Sequence, residues 1–498
     1  MLGPIGWSLF IIFFAVFVFL GFYGAKWRRG DLSRYDEWAL AGRRLGAFLV
    51  WFLVGADLYT AYTFIAVPSG VFARGALYFY AVPYVATVFA LAAATMPALW
   101  SWAHKHGYIT AADFVQDRFN SKTLALLVAI TGILAEFPYI ALQIVGMSAV
   151  LTVMLLGVVK GASATFISDL ALTISFIILA AFIWTSGLRG ATLGAVLKDA
   201  IIFLGTIAVM VSVLMSVPGG FSTAFSAIMS SKGGLPTGTL TLNPKFAVAY
   251  ITLWIGSSLA LYLYPHSING ALSAESKRKL ALSTAFLPIY GIVLAVLALF
   301  GILIYADKTA MSLISIFPPS SQGSLVVPAL AVTTLPDPLA GLTLLGIFIG
   351  GMVPAAIMAM AQANLLARNV IKPYVNLTPQ GELRIAKWAS VFFKFIALLF
   401  VFIVPATYAI NLQLLGGIWI TQTLPAVFLG LVTNKLDKYS LMAGWAVGLG
   451  LGTYLFVSAG NSPLYPIAGV QIYIALIALA VNLAIVLIGT LIARALGK

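Results

Sequence analysis

The 498-residue chain has no cysteine, so no disulfide framework, thiolate metal site or thiol catalysis is open to it. It has little charge: only 8% of its residues are Asp, Glu, Lys or Arg, where a soluble domain carries roughly 25%. Acidic residues are the scarcer sign, 14 against 28 Lys and Arg. Three scattered histidines offer no metal cluster and no nucleophile–base set. A membrane enzyme is therefore not expected. Alternating apolar and polar positions are also missing, which excludes a membrane β-barrel. One absence is local. From Val353 to Arg368 there is no Ser, Thr, Asp or Glu, and no Ser or Thr at all lies between Thr343 and Thr378.

What is present is apolar, 62% of the chain, with a mean hydropathy of +1.05. It falls in blocks of about twenty residues, enough to cross the hydrocarbon core as a helix. The pattern predicts an all-α membrane protein with about thirteen spans, near 4–25, 46–71, 76–103, 123–157, 165–186, 193–217, 246–270, 280–305, 340–371, 385–405, 407–433, 439–458 and 468–495. The first block is too long for a cleavable signal and runs into KWRR.

Basic residues collect in alternate loops. Lys26, Arg28, Arg29, Arg34, Arg43 and Arg44 follow the first span, and Lys105, Arg118 and Lys122 follow the third. Lys277, Arg278 and Lys279, then Arg368, Lys372, Arg384 and Lys387, occupy later loops on the same side. The other side has Arg74, Lys160, Lys232, Lys245 and Lys308. By the positive-inside rule the rich side is cytoplasmic, with the N-terminus outside and the C-terminus inside a cell membrane. The same rule accounts for the net charge of +14 without a nucleic-acid partner. Two outer loops, 218–245 and 307–341, are rich in Gly, Pro, Ser and Thr and are expected to be disordered or to carry short helices. The stretch TAADFVQDRFNSK reads as a short amphipathic helix starting at Thr110.

Two spans are interrupted. GADLYTAYTFIAVPSG, 55–70, places Asp57 at membrane depth, and ALYLYPHSINGAL, 260–272, places Pro265, His266, Ser267 and Asn269 there. Such residues are costly in lipid and must face protein or a water-filled cavity. The two interruptions are five spans apart. That spacing fits a five-plus-five inverted repeat, 46–217 and 246–433, with one extra helix before it (4–25) and two after it (439–495), all in one transporter domain. In such folds the broken first helices build a site near the midplane. Kinks serving only packing would explain the same prolines. A channel would not need two broken repeats, and a sensor on this scaffold would carry an appended soluble domain.

At this point the chain resembles the sodium:solute symporter family, which has the leucine-transporter fold. The resemblance covers about 5–435 and rests on YDEWALAGRRLG, GADLYTAYTF, ITAADFVQDRFNS, PYIALQIVGM, SGLRGATLGAVLKD and YPHSINGALSAESKRKLAL in that order. YPHS and VPAAIM…ANL…RN are most similar to its monocarboxylate permease branch. The resemblance implies secondary transport of short monocarboxylates such as lactate or pyruvate, alanine included, with no cofactor. A sodium-coupled symporter of another small solute, or a transporter-like sensor, is the alternative. By position, Asp57, Tyr59, Thr60, Tyr62, Gln143, Tyr264, His266 and Asn269 are expected to line the substrate cavity and Trp419 and Gln422 to cover it. The N–H groups that begin the half-helices after the two breaks are expected to attract the substrate carboxylate.

Relatives that use sodium hold it between carbonyls of the first broken span, which here fall near Gly55 and Leu58, and two hydroxyl residues, which here fall on Val353 and Pro354. Neither can supply a side-chain oxygen. Pro354 frees the carbonyl of Gly350, a poor replacement. Proton coupling is therefore expected over sodium, through Lys394 in VFFKFIALLF, with Asp57 and Glu136 as proton sites or partners for it. Asp199 matches a family Asp on the inner ion path, or serves as a helix-start charge.

Overall fold

The computed structural model describes residues 1–28, 30–230, 240–403 and 406–497. Arg29, Lys232, the middle of the loop 218–245 and the junction of the spans near 385–405 and 407–433 lie outside the described residues.

Helix α1 (Pro4–Tyr23) is the extra first span. The carboxylate of Asp337 accepts from the N–H groups of Gly3 (2.5 Å) and Gly6 (2.8 Å), placing a negative charge at the positive end of the helix. Phe10 and Phe14 meet Phe348 edge-on, so α1 is held along the later helix that Asp337 begins. After α2 (Tyr35–Leu40), the first repeat opens with α3 (Ala47–Ala56), an interruption, a π-helical turn (Tyr62–Ala66) and α4 (Val67–Arg74). It continues with α5 (Ala81–His106), α6 (Ala111–Phe119), α7 (Lys122–Leu155), α8 (Ala162–Ser186) and α9 (Leu188–Ser216).

A surface helix, α10 (Gly220–Ser230), precedes the second repeat. That repeat comprises α11 (Ala247–Leu263), α12 (Pro265–Leu272), α13 (Lys277–Phe286) and α14 (Ile289–Leu303). Three short helices, α15 (Lys308–Ser315), α16 (Pro319–Gln322) and α17 (Val326–Thr334), fill the second outer loop. They bury Leu330, Val326 and Ile314, so this loop is built into the core. Then come α18 (Asp337–Leu365), α19 (Pro379–Ile403), α20 (Ala406–Thr421) and α21 (Gly430–Val432). The chain finishes with α22 (Lys438–Ser458) and α23 (Ile474–Ala495). Between these two, β1 (Leu464–Ile467) and β2 (Val470–Tyr473) form an antiparallel hairpin. Ala468 and Gly469 both have positive φ (50° and 81°), the tight turn that matches strand twist. The apolar-block pattern gave no sign of this hairpin.

Among the described residues, eleven helices are long and apolar enough to cross a membrane, or twelve if the bent pair Gln413–Thr421 and Pro425–Val432 counts as one. The expected thirteen is reached only by dividing the continuous run Tyr62–His106 and joining its first part to Ala47–Ala56. The difference arises because a broken span leaves a first half of ten residues, too short to cross alone.

Helix α18 is the centre of the bundle. Its apolar window is wholly buried, and it stays helical through Pro354. The expected helix at Thr110 is present. Thr110 and Asp113 form a reciprocal capping box at its start. The basic loops converge on one end of the bundle. There Arg368 bridges Asp113 (2.6 Å) and Glu382 (3.2 Å), Lys372 pairs with Glu382 (2.6 Å), and Arg118 donates to the carbonyl of Gly430 (2.8 Å). Arg368 and Asn369 thus tie the end of α18 to α6, and Arg368 ties it to α19.

Candidate functional site

The first interruption begins where the carbonyl of Gly55 accepts from both Leu58 N (3.0 Å) and Tyr59 N (2.9 Å). The chain then turns, and the hydroxyl of Thr63 donates to the carbonyl of Leu58. Only glycine fits at 55, since a Cβ there would lie 2.1 Å from the hydroxyl oxygen of Tyr290. The second half-helix starts with Ala61 N donating to Gln143 Oε1 (2.8 Å) and Tyr62 N to Thr60 Oγ1 (3.0 Å).

The second interruption is a single residue. Tyr264 is extended (φ −61°, ψ 139°), and Pro265 occupies the first turn of α12, where its missing N–H costs nothing. His266 donates from its backbone N (3.3 Å) and from Nδ1 (2.7 Å) to Glu136 Oε1. That carboxylate fixes the ring proton on Nδ1. Glu136 and Gln143 are seven residues apart on α7, two turns along one face. One helix therefore caps both half-helices. The sequence expectation that these N-termini greet the substrate carboxylate is corrected: side-chain acceptors of α7 already occupy them.

Several polar groups remain without a protein partner among the described residues: both oxygens of Asp57, Glu136 Oε2, His266 Nε2, the Tyr264 hydroxyl and Asn269 Nδ2. Buried groups of this kind point to water or a bound solute. Asp57, Tyr264 and Asn269 each line one of three small cavities. Asp57, Leu58, Ser267 and Thr284 line one of ≈ 30 Å³. Tyr62, Tyr84, Tyr139, Tyr264 and Gln413 line another of ≈ 20 Å³. Asn269, Pro265, Thr110 and Thr423 line a third of ≈ 20 Å³. Each has room for one or two waters and not for an organic acid, so this conformation is contracted around the breaks. The three share walls through the α11–α12 turn.

The structure places Asp57, Tyr62, Tyr264 and Asn269 on the cavity walls, and Thr60, Gln143 and His266 at the ends of the half-helices. It moves others away. Tyr59 turns its hydroxyl to the carbonyl of Tyr290 (2.8 Å), among Phe64, Phe203 and Tyr290. Trp419 donates to Thr453 on α22 (2.8 Å), and Gln422 accepts from Asn482 on α23 (3.2 Å). The cavity-facing residues of that region are Gln413, Gly417, Ile420 and Thr423. The misplacement is a choice of helix face: Trp419 and Gln422 lie on the stripe that meets the last two helices.

The partners expected for the coupling residues also need correction. Lys394 is fully buried, but it donates to Ser390 Oγ (2.6 Å) and Ser390 O (3.2 Å) on its own helix. It has no ion pair with Asp57 or Glu136; Glu136 pairs with His266 instead. Asp199 is not at a helix start, since α9 begins at Leu188. It accepts from the Tyr290 hydroxyl (2.7 Å) and pairs with Lys198 at 2.9 Å, off the direction of a hydrogen bond. Lys198 itself was missed. Its ammonium donates to the carbonyls of Ala56 (3.2 Å) and Tyr59 (2.9 Å). The carbonyls of the break that this ammonium engages are those of Ala56 and Tyr59, neighbours of the expected Gly55 and Leu58. A lysine within an apolar block was the available signal. Opposite, a Cβ at Gly194 would meet Val353 and one at Gly350 would meet Ile202. Gly194, Lys198 and Ile202 form one stripe of α9, so Lys198 lies along the seam with the Gly350–Pro354 stretch of α18.

A membrane bundle with two broken helices around buried, unpartnered polar groups is the architecture of a secondary transporter for a small solute. The sodium:solute symporter family profile matches residues 38–448, and the chain belongs to that family. A monocarboxylate transport permease protein of Rhizobium johnstonii is 39% identical over 488 residues, covering 97% of this chain and 95% of that one. The uncharacterized symporter YodF of Bacillus subtilis is 31% identical over 450 residues, covering 90% and 87%. A Na+-coupled sialic acid symporter, solved substrate-bound and outward-open, superposes with a TM-score of 0.75 over 98% of both chains at 14% identity, a likeness of fold. These relatives are transporters, not enzymes.

Proposed function

We propose that this protein moves short monocarboxylates, lactate and pyruvate foremost, across the cell membrane by alternating access and is driven by protons rather than sodium. The substrate class rests on the similarity to the Rhizobium permease across nearly the whole length. The observation that carries the choice of ion is the α18 wall. At Val353 and Pro354 it offers no hydroxyl, while a hard cation needs several oxygen ligands. Asp57, Tyr62, Gln143, Tyr264, His266 and Asn269 are the residues assigned to the substrate path. The basic loops support a cytoplasmic C-terminus and an outside N-terminus.

A second reading has its own observation. Both oxygens of Asp57 lack a protein partner, and a carboxylate free in this way can hold sodium elsewhere, for a different small solute. Reconstitution decides. Labelled lactate and pyruvate uptake is measured in liposomes under a proton gradient, a sodium gradient, or neither. Uptake that follows the proton gradient and stops with a protonophore is expected. Uptake that requires sodium and ignores the protonophore favours the second reading, and no uptake of either acid removes the substrate class.

A further inference from the structure

We infer that Lys198 is a tethered cation that fills the gap between the break of α3 and the α18 wall, and that its gain and loss of a proton is the coupling event. The inference rests on the proton-driven reading above. The ammonium is fully buried and is held by two backbone carbonyls of the interruption, Ala56 and Tyr59, and by the carboxylate of Asp199. Two carbonyls at a helix break are what a small cation would use. A merely structural ion pair needs only Asp199. Here the charge also bridges from α9 to the segment that must rearrange when the broken helix tilts.

The proton balance is direct. With three N–H groups the ammonium serves the two carbonyls and faces the carboxylate. Release of one proton to water leaves an amine with two N–H groups and a lone pair. One acceptor then loses its partner, and the negative charge of Asp199 loses its counter-charge. The bridge between α9 and the break weakens in the neutral form and strengthens in the charged form. The groups facing this pair are Asp57 and Tyr59 from the break and Tyr290 from α14. Behind Asp57 stand His266 and Glu136, which pair with each other. The α18 face opposite is Gly346, Gly350 and Val353, with nothing that titrates. Lys198 therefore supplies a cationic side chain at the break, in a seam lined by glycine, aliphatic and phenylalanine surface.

The test uses the full chain in liposomes and exploits its lack of cysteine. Lys277→Cys, at the exposed start of α13, and Asn376→Cys, on the exposed loop after α18, carry spin labels at the basic end. Their distance distribution is read in acid and alkaline buffer, without substrate, beside proton-driven lactate uptake and lactate exchange at equal pH. With Lys198 present, the distribution is expected to shift with pH. In Lys198→Met, and in Lys198→Met/Asp199→Asn, which removes both charges together, the shift is expected to vanish. Proton-driven accumulation is lost, while exchange persists and becomes independent of pH. Lys198→Arg keeps a charge that cannot be released and is expected to stay in the acid distribution at every pH. A pH-dependent shift that survives in any of these variants, or no shift with Lys198 present, overturns the inference. Absence of lactate uptake by the unsubstituted protein removes the substrate class instead, because the distance measurement needs no substrate.

Discussion

Glu136 holds the key contact at the level of single residues. Its Oε1 satisfies two donors of His266 at the start of α12, while Oε2 is left without a protein partner. Glu136→Gln keeps the shape and removes the charge. A charge-assisted hydrogen bond of this kind contributes about 1.5–3 kcal/mol, so a loss of stability of that order is expected in detergent unfolding. Lactate uptake should fall with it, since α7 no longer orders the second break. Trp419→Phe is the contrast. It removes one bond to Thr453, about 0.5–1.5 kcal/mol, on a face turned from the cavities. The KM for lactate is expected to stay at its original value; a marked rise in KM would return Trp419 to the substrate path. The polar residues at the two breaks of the candidate site were legible one by one, because Asp57, His266 and Asn269 are anomalies in an apolar stretch. Their partners were not legible: Glu136 and His266 are 130 residues apart, and no local pattern pairs them.

Among elements, the breaks were legible in place but not in detail. Proline and polar residues mark where each helix stops. How the carbonyls then turn depends on packing, here on Tyr290 against Gly55 and Thr63 back-bonding to Leu58. That is why the carbonyls that meet the Lys198 ammonium are those of Ala56 and Tyr59, beside the expected pair. Lys198 escaped notice for a related reason: its partners lie on another element, 142 and 139 residues earlier. The seam between α9 and α18 leads to a gain-of-function prediction. Lys198→Ala vacates the two carbonyls and leaves the Asp199 carboxylate, while Val353→Thr and Pro354→Ser add two hydroxyls. The triple variant gathers five oxygen-bearing groups for a hard cation. Sodium is expected to raise its unfolding temperature, as any ligand of the folded state does, and to leave the unsubstituted protein unmoved. Equal sodium response in both proteins would place the ion away from this seam.

For the whole molecule, what matters is how much charge crosses the bilayer per turnover. Two close acid–base pairs lie at the breaks, Lys198 with Asp199 and His266 with Glu136, while Asp57 and Lys394 are buried without an ion-pair partner among the described residues. If Lys198 carries one proton for each monocarboxylate anion, the two charges cancel and no net charge moves. Transport is then expected to respond to the pH difference and to be indifferent to membrane potential. The distinction is large enough to measure. A potential of about 100 mV acts with about 2.3 kcal/mol on each elementary charge moved, roughly fiftyfold in the accumulation ratio. A potassium diffusion potential imposed with valinomycin at equal pH should therefore leave lactate accumulation unchanged, whereas a pH step should drive it. Accumulation that grows with the imposed potential would mean that more than one cation accompanies each anion, and a single lysine could not be the whole coupling device. Asp57, unpartnered beside the break, would then be the next residue to neutralise, and Asp57→Asn should restore the indifference to potential.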